Sequence, residues 1–80
     1  MAVSLFQFEA IDDLYNQLVR MGDFETCADP RGYIRTSNRL LDTCISVLGI
    51  DHVDQFASAE ECAADFICRA LSSSTLVEAA

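Results

Sequence analysis

The chain has 80 residues, of which 51% are hydrophobic, so it is long enough for one domain spanning 1–80 and too apolar to be disordered. Thirteen carboxylates face five arginines, no lysine is present, and the formal net charge is −8. This charge argues against direct binding to nucleic acid or to an anionic membrane and favours basic partners. No apolar run approaches the roughly 18 residues that a membrane span needs.

The first predicted helix covers 5–21. Ser4 and Gln7 have the spacing of a capping box, and Gly22 is a typical C-terminal stop. The apolar residues of this segment fall on one face over about four turns: Phe8, Ala10, Ile11, Leu14, Tyr15, Leu18, Val19 and Met21. Leu5 and Phe6 fall off that face, so they either contact a partner or form an irregular lead-in.

The second predicted helix covers 30–48 and ends at Gly49. Asp29 is placed to act as its N-cap with Pro30 at the first helical position, although Gly32 in the first turn allows a start nearer Tyr33. Its predicted buried face spans roughly 160°, wide enough to touch two neighbours. The residues on this face are Tyr33, Ile34, Leu40, Leu41, Cys44, Ile45, Val47 and Leu48.

Two further helices are predicted. Ile50, Val53 and Phe56 recur at helical spacing, which indicates a short helix over 51–56 with Asp51 as its N-cap. Ser58 and Glu61 have capping-box spacing at the start of a last helix over 59–71, and the tail 72–80 is expected to be frayed. No segment alternates with period two, so we predict an all-α fold, a compact bundle of three main helices with an optional short fourth.

The four cysteines are not spaced as a zinc site, because no pair has the short C-x₂₋₄-C separation. The N-terminus has no basic region followed by an apolar signal core. We therefore expect free thiols, no metal, and a reducing, cytoplasmic location. Cys44 and Cys62 fall on predicted buried faces, whereas Cys68 points away from the apolar stripe of its helix.

Catalytic signals are weak. His52 lies between Asp51 and Asp54 and could act as a general acid or base, but a lone histidine at this position is more typical of a solvated turn. No spacing supports a Cys–His nucleophilic pair, and no glycine loop could cradle a phosphate. We therefore expect no enzyme activity and no cofactor.

Arg31, Arg35 and Arg39 form a row on the polar side of the second helix. The row could clamp a carboxylate or phosphate on a partner. Alternatively it balances the acidic helices of the same molecule, with Arg39 pairing with Asp42. The second interpretation is preferred, because an isolated basic strip would lie in a strongly negative field.

The acidic residues suggest a more specific role. Carboxylates cluster on the first helix, on the connection (Asp23, Glu25 and Asp29) and on the last helix. Duplex DNA carries one negative charge per about 1.7 Å of axis, so a rigid carboxylate row could compete for a groove that holds its backbone. The predicted partner-binding residues are Phe6, Glu9, Asp12, Asp13, Glu60, Glu61 and Asp65.

In size and charge the chain is similar to the small acidic inhibitors that phages make against host defence complexes, anti-CRISPR proteins among them. This similarity involves no sequence motif. The sequence thus predicts a non-catalytic module that occupies a basic or nucleic-acid-binding site on another protein, as a nucleic-acid mimic. The alternative is a homodimeric structural or adaptor module sealed by the apolar residues Leu5, Phe6, Leu76 and Val77.

Overall fold

A computed structural model describes residues 3–73 of the chain. Within this range the protein forms four helices and no strand. These are α1 (Leu5–Met21), α2 (Pro30–Leu48), α3 (Ile50–Val53) and α4 (Ala59–Ser73). The prediction of an all-α bundle with three main helices and one short helix is confirmed.

The predicted signals at the ends of α1 are present. The Ser4 side chain accepts a hydrogen bond from the Gln7 backbone N–H at 3.1 Å, and the Gln7 side chain accepts one from the Ser4 N–H at 3.1 Å. Both bonds satisfy N–H groups that a helix start leaves without partners. Gly22 ends the helix with a φ of 80°, a conformation that side chains with a Cβ rarely adopt.

The start of α2 lies at Pro30 and not at Tyr33. The Asp29 carboxylate accepts a hydrogen bond from the Gly32 N–H at 3.0 Å. A Cβ on residue 32 would collide with that carboxylate, so glycine here permits the cap instead of weakening the helix.

The short helix differs from its prediction over 51–56. It covers Ile50–Val53 and begins directly after Gly49, whose φ of 93° turns the chain between α2 and α3. Gly49 is therefore the N-cap, and Asp51 lies inside the first turn. Residues 54–58 form turns and bends instead of continuing the helix.

The core forms where α2 meets the other three helices, and α1 and α4 also contact each other. Its buried apolar residues are Ile11, Leu18, Leu40, Cys44, Val53, Ala59, Cys62, Ala63 and Phe66. The rings of Phe8 and Phe66 join α1 to α4, with centroids 6.0 Å apart. The last helix extends to Ser73, two residues beyond its predicted end. Residues 74–80 lie outside the described residues, and they include Leu76 and Val77 of the predicted dimer contact.

Two residues of the predicted buried face of α2 are exposed. Ile34 is 48% accessible and Leu41 36%, although both were predicted to be buried. The residues of α2 that are buried are Gly32, Thr36, Leu40 and Cys44, which repeat every fourth position and form a narrow stripe. The neighbouring helices therefore cover less of α2 than its apolar residues alone indicate.

Candidate functional site

The outer face of α1 carries three of the predicted partner-binding residues. Phe6, Glu9 and Asp13 follow one another at i, i+3 and i+7, so they lie on one side of the helix. All three are exposed, and Phe6 is 80% accessible. Asp12 is half-buried on the flank of the same helix. The prediction that Leu5 and Phe6 lie off the buried face is confirmed, since Leu5 is also exposed.

The carboxylates of α1 form no ion pair within the described part of the molecule. Among residues 3–73, the one ion pair joins Asp65 and Arg69 on α4. Glu9, Asp12 and Asp13 also take part in no side-chain hydrogen bond in this range. Arg20, the cation of α1, stands seven residues after Asp13, which is too far for the i, i+4 contact that stabilises a helix. We refer to Glu9, Asp12 and Asp13 as the α1 acids.

The three carboxylates of α4, which we call the α4 acids, are each engaged within the protein. Glu60 Oε1 accepts a hydrogen bond from the Ser37 hydroxyl of α2 at 2.8 Å. Glu61 Oε2 accepts one from the Ala57 N–H at 3.1 Å, while Ser58 Oγ accepts from the Glu61 N–H at 3.2 Å. Asp65 Oδ2 lies 3.0 Å from Arg69 Nε.

These α4 contacts modify the predicted capping box. Ser58 caps the Glu61 N–H as predicted, but the Glu61 carboxylate reaches Ala57, one residue before the cap. Glu60 and Glu61 also lie in the first helical turn, where the helix dipole favours negative charge. The structure thus assigns stabilising contacts to the α4 acids, and their contact with a partner stays a prediction.

The arginine row of α2 is exposed, but the preferred interpretation of it is not supported. Arg31, Arg35 and Arg39 form no ion pair with any acid of residues 3–73, and the predicted Arg39–Asp42 pair is absent in that range. The row therefore balances the acidic charge of the molecule only at a distance.

A groove of about 230 Å³ lies where the end of α1, the start of α2 and the first turn of α4 meet. Its lining residues are Tyr15, Leu18, Val19, Gly22, Asp23, Tyr33 and Glu60. Burial raises the pKa of Tyr33, and the negative charges of Glu60 and Asp23 raise it further. Sequence analysis did not find this groove, because three separate segments form it and no local pattern links them.

The ring of Phe24 packs against Tyr33, one of the residues that line this groove. Its centroid lies 5.6 Å from that of Tyr33, so the connection between α1 and α2 packs on the start of α2. Phe24 remains 44% accessible and Cys27 is half-buried. The connection therefore packs on the bundle but stays partly open to solvent.

The buried thiols lie where periodicity placed them, whereas His52 is half-buried in α3 and is not a solvated turn residue. Cys44 and Cys62 are buried, as predicted, and Cys68, which periodicity places away from the apolar stripe of its helix, is exposed. Burial raises the pKa of Cys44 to about 12, with further contributions from Cys62 and Glu60. The half-buried His52 packs its ring against Phe56, with centroids 5.6 Å apart.

No protein-family model, curated protein or solved structure matches this chain. Within residues 3–73, no helix is both long enough and apolar enough to cross a bilayer. In the same range, no group of three or more His, Cys, Asp or Glu residues is placed to hold a metal ion. The function therefore has to be inferred from the geometry and charge of the described residues.

Proposed function

We propose that this protein is a non-catalytic module that binds a basic, nucleic-acid-handling protein and occupies its site. The outer face of α1 makes the main contact. The observation that carries the proposal is that the α1 acids form no ion pair and no side-chain hydrogen bond among residues 3–73, while each α4 acid has a hydrogen-bond or ion-pair partner. A basic surface on another protein would supply the missing charge.

The placement of the α1 acids has a cost for the helix itself. Glu9 and Asp13 are like charges one turn apart, an arrangement that destabilises a helix by a few tenths of a kcal/mol. Both lie beyond the first turn of α1, where the helix dipole gives little compensation. Their positions are thus better explained by an external contact than by the stability of α1.

Phe6 gives this surface an apolar component. A phenylalanine that is 80% accessible beside carboxylates resembles the aromatic anchors that carry much of the energy in protein interfaces. The carboxylates would guide the encounter and fix its orientation, while Phe6 would add apolar contact area at the N-terminal end of this surface. Such an interface associates fast and weakens as salt is added.

The test begins with affinity capture from the native host, elution with salt, and purification of the captured protein. Its dissociation constant is then measured across a range of salt concentrations for two double variants. Glu9→Lys with Asp13→Lys reverses the α1 charges, and Asp51→Lys with Asp54→Lys makes the same change in and beside α3. Since each reversed contact turns attraction into repulsion, we expect the first variant to weaken binding by at least about tenfold.

The expected pattern also includes a steep loss of affinity between low and high salt and competition with nucleic acid for the captured protein. Equal losses from the two double variants would show that only net charge matters and would contradict the role of α1. A dissociation constant that does not change with salt would contradict the electrostatic mechanism.

Self-association is the second candidate, and it is favoured by the exposure of Leu5 and Phe6 at the start of α1. Solution mass measured at micromolar concentration separates the two candidates. A dimer that becomes monomeric in Phe6→Ser would support this alternative. A strict monomer would eliminate it.

A further inference from the structure

The groove between α1, α2 and α4 combines features that the proposed function does not use. Tyr15, Val19 and Gly22 contribute the α1 side, Tyr33 the α2 side, and Glu60 the α4 side. Its volume of about 230 Å³ is below the roughly 300–1,000 Å³ typical of pockets for drug-sized ligands. The space is suited to a single side chain.

The lining of the groove is acidic and aromatic. Two tyrosine rings and two carboxylates line the groove, and none of the described residues that line it is cationic. Asp23 makes no side-chain hydrogen bond within residues 3–73. Glu60 uses Oε1 to bind the Ser37 hydroxyl, which leaves Oε2 available as an acceptor. Burial is the largest cause of the raised pKa of Tyr33, and the negative charges of Glu60 and Asp23 add to it.

We propose that this groove receives the guanidinium group of an arginine from the basic partner, an inference that rests on the proposed function. A guanidinium is planar, so it stacks on a tyrosine ring while it donates hydrogen bonds to a carboxylate. Asp23 and Glu60 accept these bonds, and Tyr15 and Tyr33 supply the aromatic surface. The arginine is held by charge and by shape together.

The groove lies on the flank of α1 that carries Asp12. Val19, which periodicity placed on the apolar face, is 59% accessible, and it follows Asp12 by seven residues on the same side of the helix, about 10 Å away along its axis. A basic segment that contacts Asp12 therefore has the groove within reach of its next side chains. The partner surface is thus expected to carry an arginine about two helical turns from its contact with the α1 acids.

The test uses N-acetyl-arginine amide as the probe and N-acetyl-citrulline amide as its neutral match. Binding to the full chain is followed by NMR at the Gly22 amide and at the rings of Tyr15 and Tyr33. We expect saturable shifts at millimolar concentrations with the arginine probe and much smaller shifts with the citrulline probe. Asp23→Asn should weaken binding several-fold, whereas Asp54→Asn, which removes the same charge outside the groove, should leave it unchanged.

Asp23→Asn should retain the fold, because the Asp23 atom that bonds Thr26 is its backbone oxygen. An unchanged NMR spectrum away from the groove verifies this. Equal shifts with the two probes, or equal weakening in Asp23→Asn and Asp54→Asn, would overturn the inference.

The captured protein provides the second arm of the test. Asp23→Asn should weaken its binding more than Asp54→Asn does. An equal effect of the two variants would overturn the role of the groove in partner binding. Neither result would contradict the proposed function, which is tested by the double variant at Glu9 and Asp13 and by the salt dependence.

Discussion

Helices α1 and α4 have the same charged composition but use it differently. Each carries three carboxylates and one arginine. In α4, Arg69 follows Asp65 by four residues and pairs with it, and the two glutamates lie in the first turn. In α1, Arg20 follows Asp13 by seven residues, and the acids lie beyond the first turn. Position within the helix, and not composition, decides which acids stabilise their own element.

The comparison shows why net charge alone is a poor guide to a binding surface. Glu60 and Glu61 complement the dipole of α4, Glu60 ties the helix to Ser37 of α2, and Asp65 pairs with Arg69. The α1 acids have no such contacts within the described residues. Acids that a fold does not need for its own stability are the better candidates for recognition. Stability measurements on the two helices can therefore test this distinction without knowledge of the partner.

The largest expected effect is a loss of stability at high pH, and it arises from Cys44, which is buried where α2 packs on α4. Cys44 is fully buried, and its pKa lies at about 12 in the folded protein against an ordinary value of 9.0. Above pH 9 the unfolded chain loses this proton while the folded protein keeps it, so the free energy of unfolding falls as pH rises toward 12. At about 1.4 kcal/mol per pH unit, the loss reaches about 3 kcal/mol at pH 11. Denaturant unfolding between pH 8 and 11, under reducing conditions, measures it.

Cys44→Ala should flatten this pH dependence, although the cavity that it leaves lowers stability at every pH. Cys68→Ser, at the exposed thiol, should leave the slope unchanged. Burial also raises the pKa values of Cys62 and Tyr33, so part of the slope should persist in Cys44→Ala. An identical slope in Cys44→Ala and in the unmodified protein would refute the role assigned to Cys44.

The next effect tests the cap of α4. Ser58→Ala removes the acceptor for the Glu61 N–H and should lower the free energy of unfolding by about 1 kcal/mol. Ser46→Ala on the exposed side of α2 is the control, since Ser46 makes no side-chain hydrogen bond within residues 3–73. Thermal or urea unfolding compares the two. An equal effect would mean that the observed bond does not stabilise α4.

Much of this fold follows from local sequence signals. The pairs Ser4–Gln7 and Asp29–Pro30 predicted the starts of α1 and α2. Such caps can be read from the sequence because they involve residues no more than three or four positions apart. Helical periodicity alone placed Phe6 and Cys68 off the buried faces of their helices, and both are exposed. The short helix was less predictable, since a single Gly49 serves as the end of one helix and the start of the next.

The remaining features depend on contacts between distant segments. Glu60 and Ser37 are 23 residues apart, and nothing in the sequence links the carboxylate to that hydroxyl. Periodicity placed Ile34 and Leu41 on a buried face, but how far α1, α3 and α4 cover α2 is a property of the packed bundle. The groove between the three main helices escaped prediction for the same reason. The difference between the α4 acids, which have partners within the protein, and the α1 acids, which have none among residues 3–73, likewise could not be read from the sequence.

A smaller effect examines the charge of Glu61. Glu61→Gln keeps an oxygen that can accept the Ala57 N–H but removes the negative charge from the first turn of α4. We expect a loss of about 0.5 kcal/mol in the free energy of unfolding, because a first-turn carboxylate interacts favourably with the helix dipole. The loss should shrink as salt is added. A loss that is independent of salt would point to the hydrogen bond instead of the charge.

The smallest effect has the opposite sign and bears most directly on the comparison. Asp13→Asn removes the repulsion with Glu9 one turn away, and Asp13 has no bonding partner of its own within residues 3–73. The free energy of unfolding should therefore rise by a few tenths of a kcal/mol, about 0.3 kcal/mol, with the largest gain at low salt. Urea unfolding of both proteins at low and high salt measures this difference.

Asp42→Asn is the matched control for this gain. It makes the same substitution in α2, where the residues four positions away are the neutral Asn38 and Ser46, and Arg39 stands three positions before it. Because Asp42 has no like charge one turn away, its replacement should leave stability unchanged or slightly lower. If both variants gained stability equally, the gain would come from lowering the net charge of −8 and not from the position of the α1 acids. If Asp13→Asn instead lost stability, Asp13 would serve the fold as the α4 acids do, and the case for α1 as the binding face would fail.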